Sequence, residues 1–416
     1  MCERMHPMSD LVQDLAEFVV AAPTPYHAVA EAVRRLETAG FTGGPGPGRR
    51  YQVRDGTVLA WSAPEGVVAP LRVFLAHTDS PTLKVKPNPD VGRGGWRQVG
   101  VEVYGGTLWN TWLDRDLGLA GRLALYDGST VLVNVDRPLL RVPQLAIHLD
   151  RGVNQGLKLD AQQHLLPIWG LGAPAEGDLL EFLSGEVGVD ADEIAAHDLV
   201  VHDLTPPARL GEESDLFAAP RLDNLSSVHA GIGALIAAAD SGEVIPVFVG
   251  FDHEEIGSNS ATGAAGPLLE ELLTRLAGGF DARRPVFAES RCLSVDVTHA
   301  AHPNYLELHE PDHRTLPNHG PALKVNANQR YATDAPGAAA WQRACRDAGV
   351  PTQVFVGKNT VPCGSTVGPI TATRLGIRTV DVGIPVLSMH SARELCGVDD
   401  PGFLAAAATR FLSDPL

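Results

Sequence analysis

No apolar run in this 416-residue sequence approaches the roughly 20 residues a membrane-spanning helix needs, which excludes that class of membrane protein. Cysteine is scarce: five residues, scattered and without a CxxC pair, so neither a disulfide framework nor a cysteine zinc knuckle is expected. Positive charge is in the minority, with 33 Lys and Arg against 50 Asp and Glu. The resulting net charge of −17 argues against nucleic acid or an anionic membrane surface as partner, because both are polyanions. Residues 1–10 lack a basic end followed by an apolar core, so no secretory signal is expected. A reducing, cytoplasmic setting fits these absences best. Internal repeats and low-complexity tracts are missing too.

What is present is a hydrophobic fraction of 44%, enough for substantial cores, in a chain long enough for two or three domains. Helical periodicity runs over 9–22, with Ser9 as expected N-cap and Leu11, Val12, Leu15, Phe18 and Val19 on one face, and again over 26–39 up to Gly40. A buried-strand pattern at 71–76 stops at His77-Thr78-Asp79. From about residue 84 to 218 the texture changes to period-two alternation and turn dipeptides: 98–104, 121–125, Asp127-Gly128 and 130–135. From Arg221 the α/β texture returns, with an apolar helix at 225–239 and strands at 245–251, 291–297 and 378–382. The expected architecture is therefore an α/β domain in two segments, 1–85 and 218–416, interrupted by a β-rich insertion at 86–217.

Histidines and carboxylates gather just past the strands. His77 and Asp79 follow 71–76, Asp252, Glu254 and Glu255 follow 245–251, Asp296 lies near the end of 291–297, and His390 comes shortly after 378–382. In open α/β sheets, sites form outside the carboxyl ends of the strands. Asp223 lies just before the apolar helix and would project into the same crevice. Taken singly, each has a plain reading: Asp223 as a helix cap, Glu254-Glu255 as a solvated acidic turn, His390 as a hydrogen-bonder at a strand end. Adjacent glutamates after an apolar strand are odder, since buried like charges repel unless a cation or proton intervenes. HExxH is excluded, because position 257 is glycine. Two histidines with three carboxylates suit two divalent ions, each with a position open to water or substrate.

The segments HTDSPTLKVKP (77–87), RLDNLSS (221–227), DHEEIGS (252–258), SVDVTHAAHPNY (294–305), LKVNANQRYATD (323–334), PCGSTVGPI (362–370) and MHSARE (389–394) resemble the aspartyl aminopeptidase family of dinuclear zinc exopeptidases. The likeness runs from PTPYHAV (23–29) to near the C-terminus and is weakest in the insertion. It implies a three-layer αβα catalytic domain with a mixed sheet and an insertion used for oligomerisation, the assembly being a dodecamer. Two divalent metal ions per subunit follow from it, zinc or alternatively cobalt or manganese. His77 would bind one and His390 the other, Asp223 would bridge, and Glu255 and Asp296 would complete the sites. Glu254 would be the general base acting on a bridging water, and Asp79 the partner orienting His77. Lys324, by itself an ordinary surface lysine, would receive an acidic substrate side chain, His299 would lie near the substrate, and His148, by itself a structural histidine in an apolar strand, would reach a neighbouring subunit's active site.

The expectation is thus a metal-dependent aminopeptidase that removes N-terminal Asp or Glu from short peptides. Rival readings are a neutral (Leu-type) aminopeptidase of the same family, a metal-dependent deacylase or carboxypeptidase, and an inactive scaffold. The second rival needs a guanidinium for a C-terminal carboxylate, with Arg221, Arg330 and Arg393 as candidates.

Overall fold

Four of the apolar segments become adjacent parallel strands: Ile245–Phe251, Leu71–His77, Arg291–Val295 and Arg378–Gly383, in that spatial order. They form the centre of a nine-stranded mixed sheet in a computed structural model, which describes residues 7–415, with side chains from Leu11 onward. Antiparallel pairing to Ile245–Phe251 adds Thr57–Ala63 and, beyond it, Gly48–Arg54 and Thr42–Gly43. On the other side Ala322–Val325 runs antiparallel to Arg378–Gly383 and carries Gln353–Val356.

The parallel strands read as near-continuous apolar runs because both faces are covered. Phe74, Ala76, Phe248, Leu293 and Val380 pack with helices Pro7–Ala21, Pro25–Thr38, Leu222–Ala238, Ala335–Ala348 and Asp400–Ser413. Alternate residues, among them Leu71, Val73, Leu75, Val247 and Val249, pack with Leu268–Leu276, Arg283–Glu289 and Val367–Leu375 on the opposite face. That is the three-layer αβα order expected, with each buried Leu, Val or Phe contributing about 1.5–3 kcal/mol. One helix lies unusually close to the sheet: a Cβ on Gly231 would stand 2.6 Å from the Phe74 ring and 2.7 Å from Phe248.

The chain divides into two compact units. One comprises the chain up to Asp79 with Pro207–Met389 and Glu394–Leu416; the other comprises Ser80–Pro206 and His390–Arg393. Within the first, a smaller five-stranded sheet joins Ala208–Leu210, Leu216–Ala219, Glu394–Gly397, Pro385–Leu387 and Thr298–His299. The second unit is a six-stranded antiparallel sheet in the order Thr130–Leu140, Leu117–Leu125, Ile194–Asp203, Thr82–Arg93, Trp96–Tyr104, Ile168–Leu171. Its core of Leu119, Leu123, Val135 and Leu199 is closed by Leu179 and Leu183 from helix Asp178–Val187.

Three local readings are corrected. The first helix begins at Pro7, not after Ser9, as suits a proline in a first helical turn. The region read as mostly β holds the helix Asp178–Val187, capped by left-handed Gly177 and Gly188. His148 lies in a turn, not in an apolar strand. No helix among the described residues is long and apolar enough to cross a membrane.

Candidate active site

Strand register brings the polar side chains level. Phe251 lies opposite His77, and Ser294 opposite both Leu75 and Asp381, so the segments starting at His77, Asp252 and Asp296 leave the sheet at one edge. Asp223 arrives from the helix Leu222–Ala238, whose first residues are irregular. Asp223 and Asn224 have non-helical backbone angles and the peptide between them is cis, so the regular helix starts only at Leu225. The irregular segment is tied down from two sides. Asn224 donates to the Val295 carbonyl at 2.8 Å, and the Asp223 amide donates to the Glu394 carboxylate at 2.8 Å.

His77 is buried, and its two ring nitrogens face different surroundings. Nδ1 lies 3.0 Å from the Asp79 carbonyl, which can only accept, so this nitrogen carries the proton. Nε2 faces carboxylates, Asp223 at 3.2 Å, Asp296 at 3.8 Å and Glu254 at 3.9 Å, and in the neutral ring its lone pair is free for a cation set among them. Asp79 does more than orient the ring. Its two carboxylate oxygens accept from the backbone amides of Glu254 and Glu255, both at 3.1 Å, fixing the turn that carries both glutamates. Left-handed backbone at Arg221 and His253 marks both approaches to the cluster.

Electrostatically the cluster is a set of carboxylates short of positive charge. Burial raises the Glu254 carboxyl, and the charges of Asp296, Asp223 and Asp79 add to this, so that it reaches about 8 against the opposing effect of His77. Burial, followed by Asp223, likewise holds Glu255 well above the carboxylate range. Burial would depress His77, but Asp223, Asp296 and Asp79 outweigh it and hold the imidazole well above its ordinary value. Two triplets of donor atoms, His77–Asp223–Asp296 and His77–Glu254–Glu255, each fit within 4.8 Å. Mixed nitrogen and oxygen donors, buried and mutually repelling, are what divalent cations neutralise.

His390 belongs to the short segment that clusters with the second unit. Its Nδ1 lies 3.2 Å from the Gly106 carbonyl, a contact that leaves the Nε2 lone pair for a ligand in the neutral ring. The space is shaped for it: a Cβ on Gly106 would stand 3.0 Å from that nitrogen. Asp252, by contrast, packs against Gly56, where a Cβ would stand 2.3 Å from its carboxylate, and takes no part in the cluster.

Lys324 is not a surface lysine. It is 2% exposed, its Nζ lies 5.3 Å from the centre of the Tyr331 ring, and no carboxylate is within ion-pair distance among the described residues. Tyr331 lines a cavity of about 250 Å³ together with exposed His299, Phe355 and Cys363. His148 is exposed, between Leu145, Ile147 and Leu149, which are 57%, 52% and 76% exposed.

Sequence reasoning assigned no role to Glu394, Tyr331 or Cys363, although all three stand inside quoted motifs. Their hydrogen bonds and packing are long-range, so only the fold assigns them.

A parallel sheet edge presenting a buried histidine amid converging carboxylates defines a metallohydrolase centre. Comparison with known proteins names its lineage. Residues 18–412 match the family model described as aminopeptidase I zinc metalloprotease (M18). A probable M18 family aminopeptidase 2 of Streptomyces coelicolor is 56% identical, the alignment covering 96% of each chain, and a homologue in Mycobacterium leprae is 46% identical over 97% of this chain and 98% of its own. Among solved structures, a chain of the Ape4 and Nbr1 complex superposes with a TM-score of 0.93 at 34% identity, covering 99% of this chain and 88% of that one. The S. cerevisiae mApe1 dodecamer superposes with a TM-score of 0.84 at 28% identity, covering 98% and 97%. The protein belongs to the M18 family of zinc metallo-aminopeptidases, and is accordingly a hydrolase.

Proposed function

We propose that the protein is a dinuclear aminopeptidase that removes N-terminal Asp or Glu from short peptides. The observation that carries the acidic preference is Lys324. A lysine is rarely buried without a partner, because desolvating an ammonium is costly unless an anion compensates. A substrate carboxylate supplies that anion. It also reconciles an acidic substrate with a chain of net charge −17, since one desolvated pair outweighs distant charges that salt screens over about 8 Å.

His77 would hold one divalent ion and His390 the other, with Asp223 shared and Glu255 and Asp296 completing the ligand set. Zinc is the family's metal, with cobalt or manganese as alternatives. When bound, the ions supply Lewis acidity at the scissile carbonyl and at the attacking water. Glu254 takes the proton from that water and delivers it to the departing amine. Asp79 positions both His77 and the glutamate turn. His299 lies beside the substrate cavity. The exposed apolar turn around His148 supports a homo-oligomer in which this histidine completes a neighbour's site, in a cytoplasmic particle that admits only short peptides.

The deacylase reading loses two of its guanidiniums. Arg221 donates to the Val19 and Ala22 carbonyls, and Arg393 to those of Thr205 and Pro206. Arg330 donates to the Gly364 carbonyl and stays exposed. Aminoacyl-p-nitroanilides of Asp, Glu, Leu, Ala and Lys, assayed with chelator and after zinc, cobalt or manganese add-back, test the proposal. Chelator-sensitive cleavage confined to Asp and Glu is expected. Cleavage of Leu would discard the acidic preference, and chelator-resistant cleavage the metal mechanism.

A further inference from the structure

Near Lys324 lies a carboxylate that the reaction does not use. Asp381 is 0% exposed, in the middle of the strand Arg378–Gly383. Its neighbour Ala322–Val325 pairs antiparallel with Ala322 opposite Gly383 and Leu323 opposite Val382. The next step of that register puts Lys324 opposite Asp381, on the same face of the sheet. Yet the two do not form an ion pair. Asp381 is occupied instead by donors from two loops: the Thr366 hydroxyl at 2.5 Å on one oxygen and the Ala332 amide at 2.6 Å on the other. The Thr333 hydroxyl accepts from its backbone amide at 2.9 Å.

Both loops form walls of the cavity beside Lys324. The first carries Tyr331, whose ring faces the Lys324 ammonium. The second carries Cys363 and Gly364 and ends at Thr366, the N-cap of helix Val367–Leu375. The approach of that helix is tight, since a Cβ on Gly368 would stand 2.5 Å from the Asp381 carboxylate. Burial raises the Asp381 carboxyl, opposed by Thr366, Ser294, the Ala332 amide and the charge of Lys324. The two opposite charges therefore sense each other without closing.

We propose that Asp381 is a positioning residue for acidic selectivity: it fastens the loops bearing Tyr331 and Cys363 around Lys324, while its oxygens, committed to Thr366 and Ala332, leave the ammonium for the substrate carboxylate. The inference rests on the acidic preference proposed above. It implies that Thr366 is a restraint. Without its hydroxyl, one Asp381 oxygen is released towards Lys324 and competes with the substrate for the same charge.

The test compares wild type with Lys324→Ala, Asp381→Asn, Thr366→Val and Thr366→Ser in the zinc-loaded enzyme, using Asp-, Glu-, Ala- and Leu-p-nitroanilide. Thr366→Val is close to isosteric and removes the hydroxyl, both as donor to Asp381 and as the N-cap acceptor for the Gly368 amide; Thr366→Ser restores both. The expected result is a drop of about tenfold or more in the Asp:Ala ratio of kcat/KM for Thr366→Val and Asp381→Asn, carried mainly by KM, as loss of one hydrogen bond to a charged group implies. Thr366→Ser should stay near wild type. If wild type shows no acidic preference, the underlying reading fails, whatever the variants do. If wild type prefers acidic substrates and Lys324→Ala abolishes this, an unchanged ratio in Thr366→Val, or an equal loss on all substrates, overturns the role of Asp381. Should Asp381→Asn fail to fold, the Thr366 pair decides alone.

Discussion

At the scale of single residues, the two adjacent glutamates have different expected tasks. Glu254 as proton carrier predicts that Glu254→Gln lowers kcat by about 10²–10⁴-fold while bound metal, measured by elemental analysis, stays at the wild-type level. Loss of both metals in that variant would make Glu254 a ligand instead. The electrostatics of the cluster give a second prediction, for metal-free protein. Glu254 has a folded-state pKa raised to about 8, so the folded state binds more protons and loses stability as pH rises from about 4.5 to about 8; Glu255, held well above its ordinary value, acts in the same direction. His77, also raised, contributes stability that is present below about 6.5 and is lost as pH rises through its higher folded value. All three point the same way. The melting-temperature gap between zinc-loaded and chelated protein should therefore widen from pH 5 to pH 8, and a gap independent of pH would refute this account.

At the scale of elements, the helix Leu222–Ala238 is the piece on which the site depends. It delivers Asp223 at one end and is seated on the sheet through Gly231. Gly231→Ala places a methyl group into the Phe74 and Phe248 rings, and overpacking of this kind costs about 1–3 kcal/mol. Gly233, two residues on, has nothing within 4 Å of its would-be Cβ and is exposed, so Gly233→Ala should be neutral or stabilising by up to about 1 kcal/mol. Urea denaturation of the two variants checks the contrast. Equal midpoints would mean that the helix is not held by that contact. Little of this was legible in advance. The apolar pattern at 225–239 announced a helix, but it does not say which glycine faces a phenylalanine on another element.

For the whole molecule, the proposed assembly rests on an exposed apolar turn, Leu145, Ile147 and Leu149, flanking a histidine. Large apolar side chains grouped at a surface mark interaction sites. His148→Phe should reduce activity while leaving the particle mass, read by light scattering, unchanged. Unchanged kinetics would remove His148 from any active site.

The sequence by itself determined the four central strands, the alternation of the second sheet and the identity of the histidines and carboxylates past the strand ends. These follow from local periodicity and from the chemistry of individual side chains, which a linear reading carries. Tertiary structure alone decided the rest. It showed that Asp79 clamps the amides of Glu254 and Glu255, that Glu394 holds the backbone of Asp223, and that Asp381 lies opposite Lys324 without pairing with it. It also revealed the hairpin Gly48–Arg54 and Thr57–Ala63: the first strand is half-buried to exposed and has only Tyr51 and Val53 as apolar residues, and the second, though buried throughout, is a short run broken by Thr57 and Ser62. Apart from the hairpin, these depend on sheet register and on contacts between residues about 50 to 180 positions apart. Such pairings are set by how the layers pack, and no local pattern encodes them.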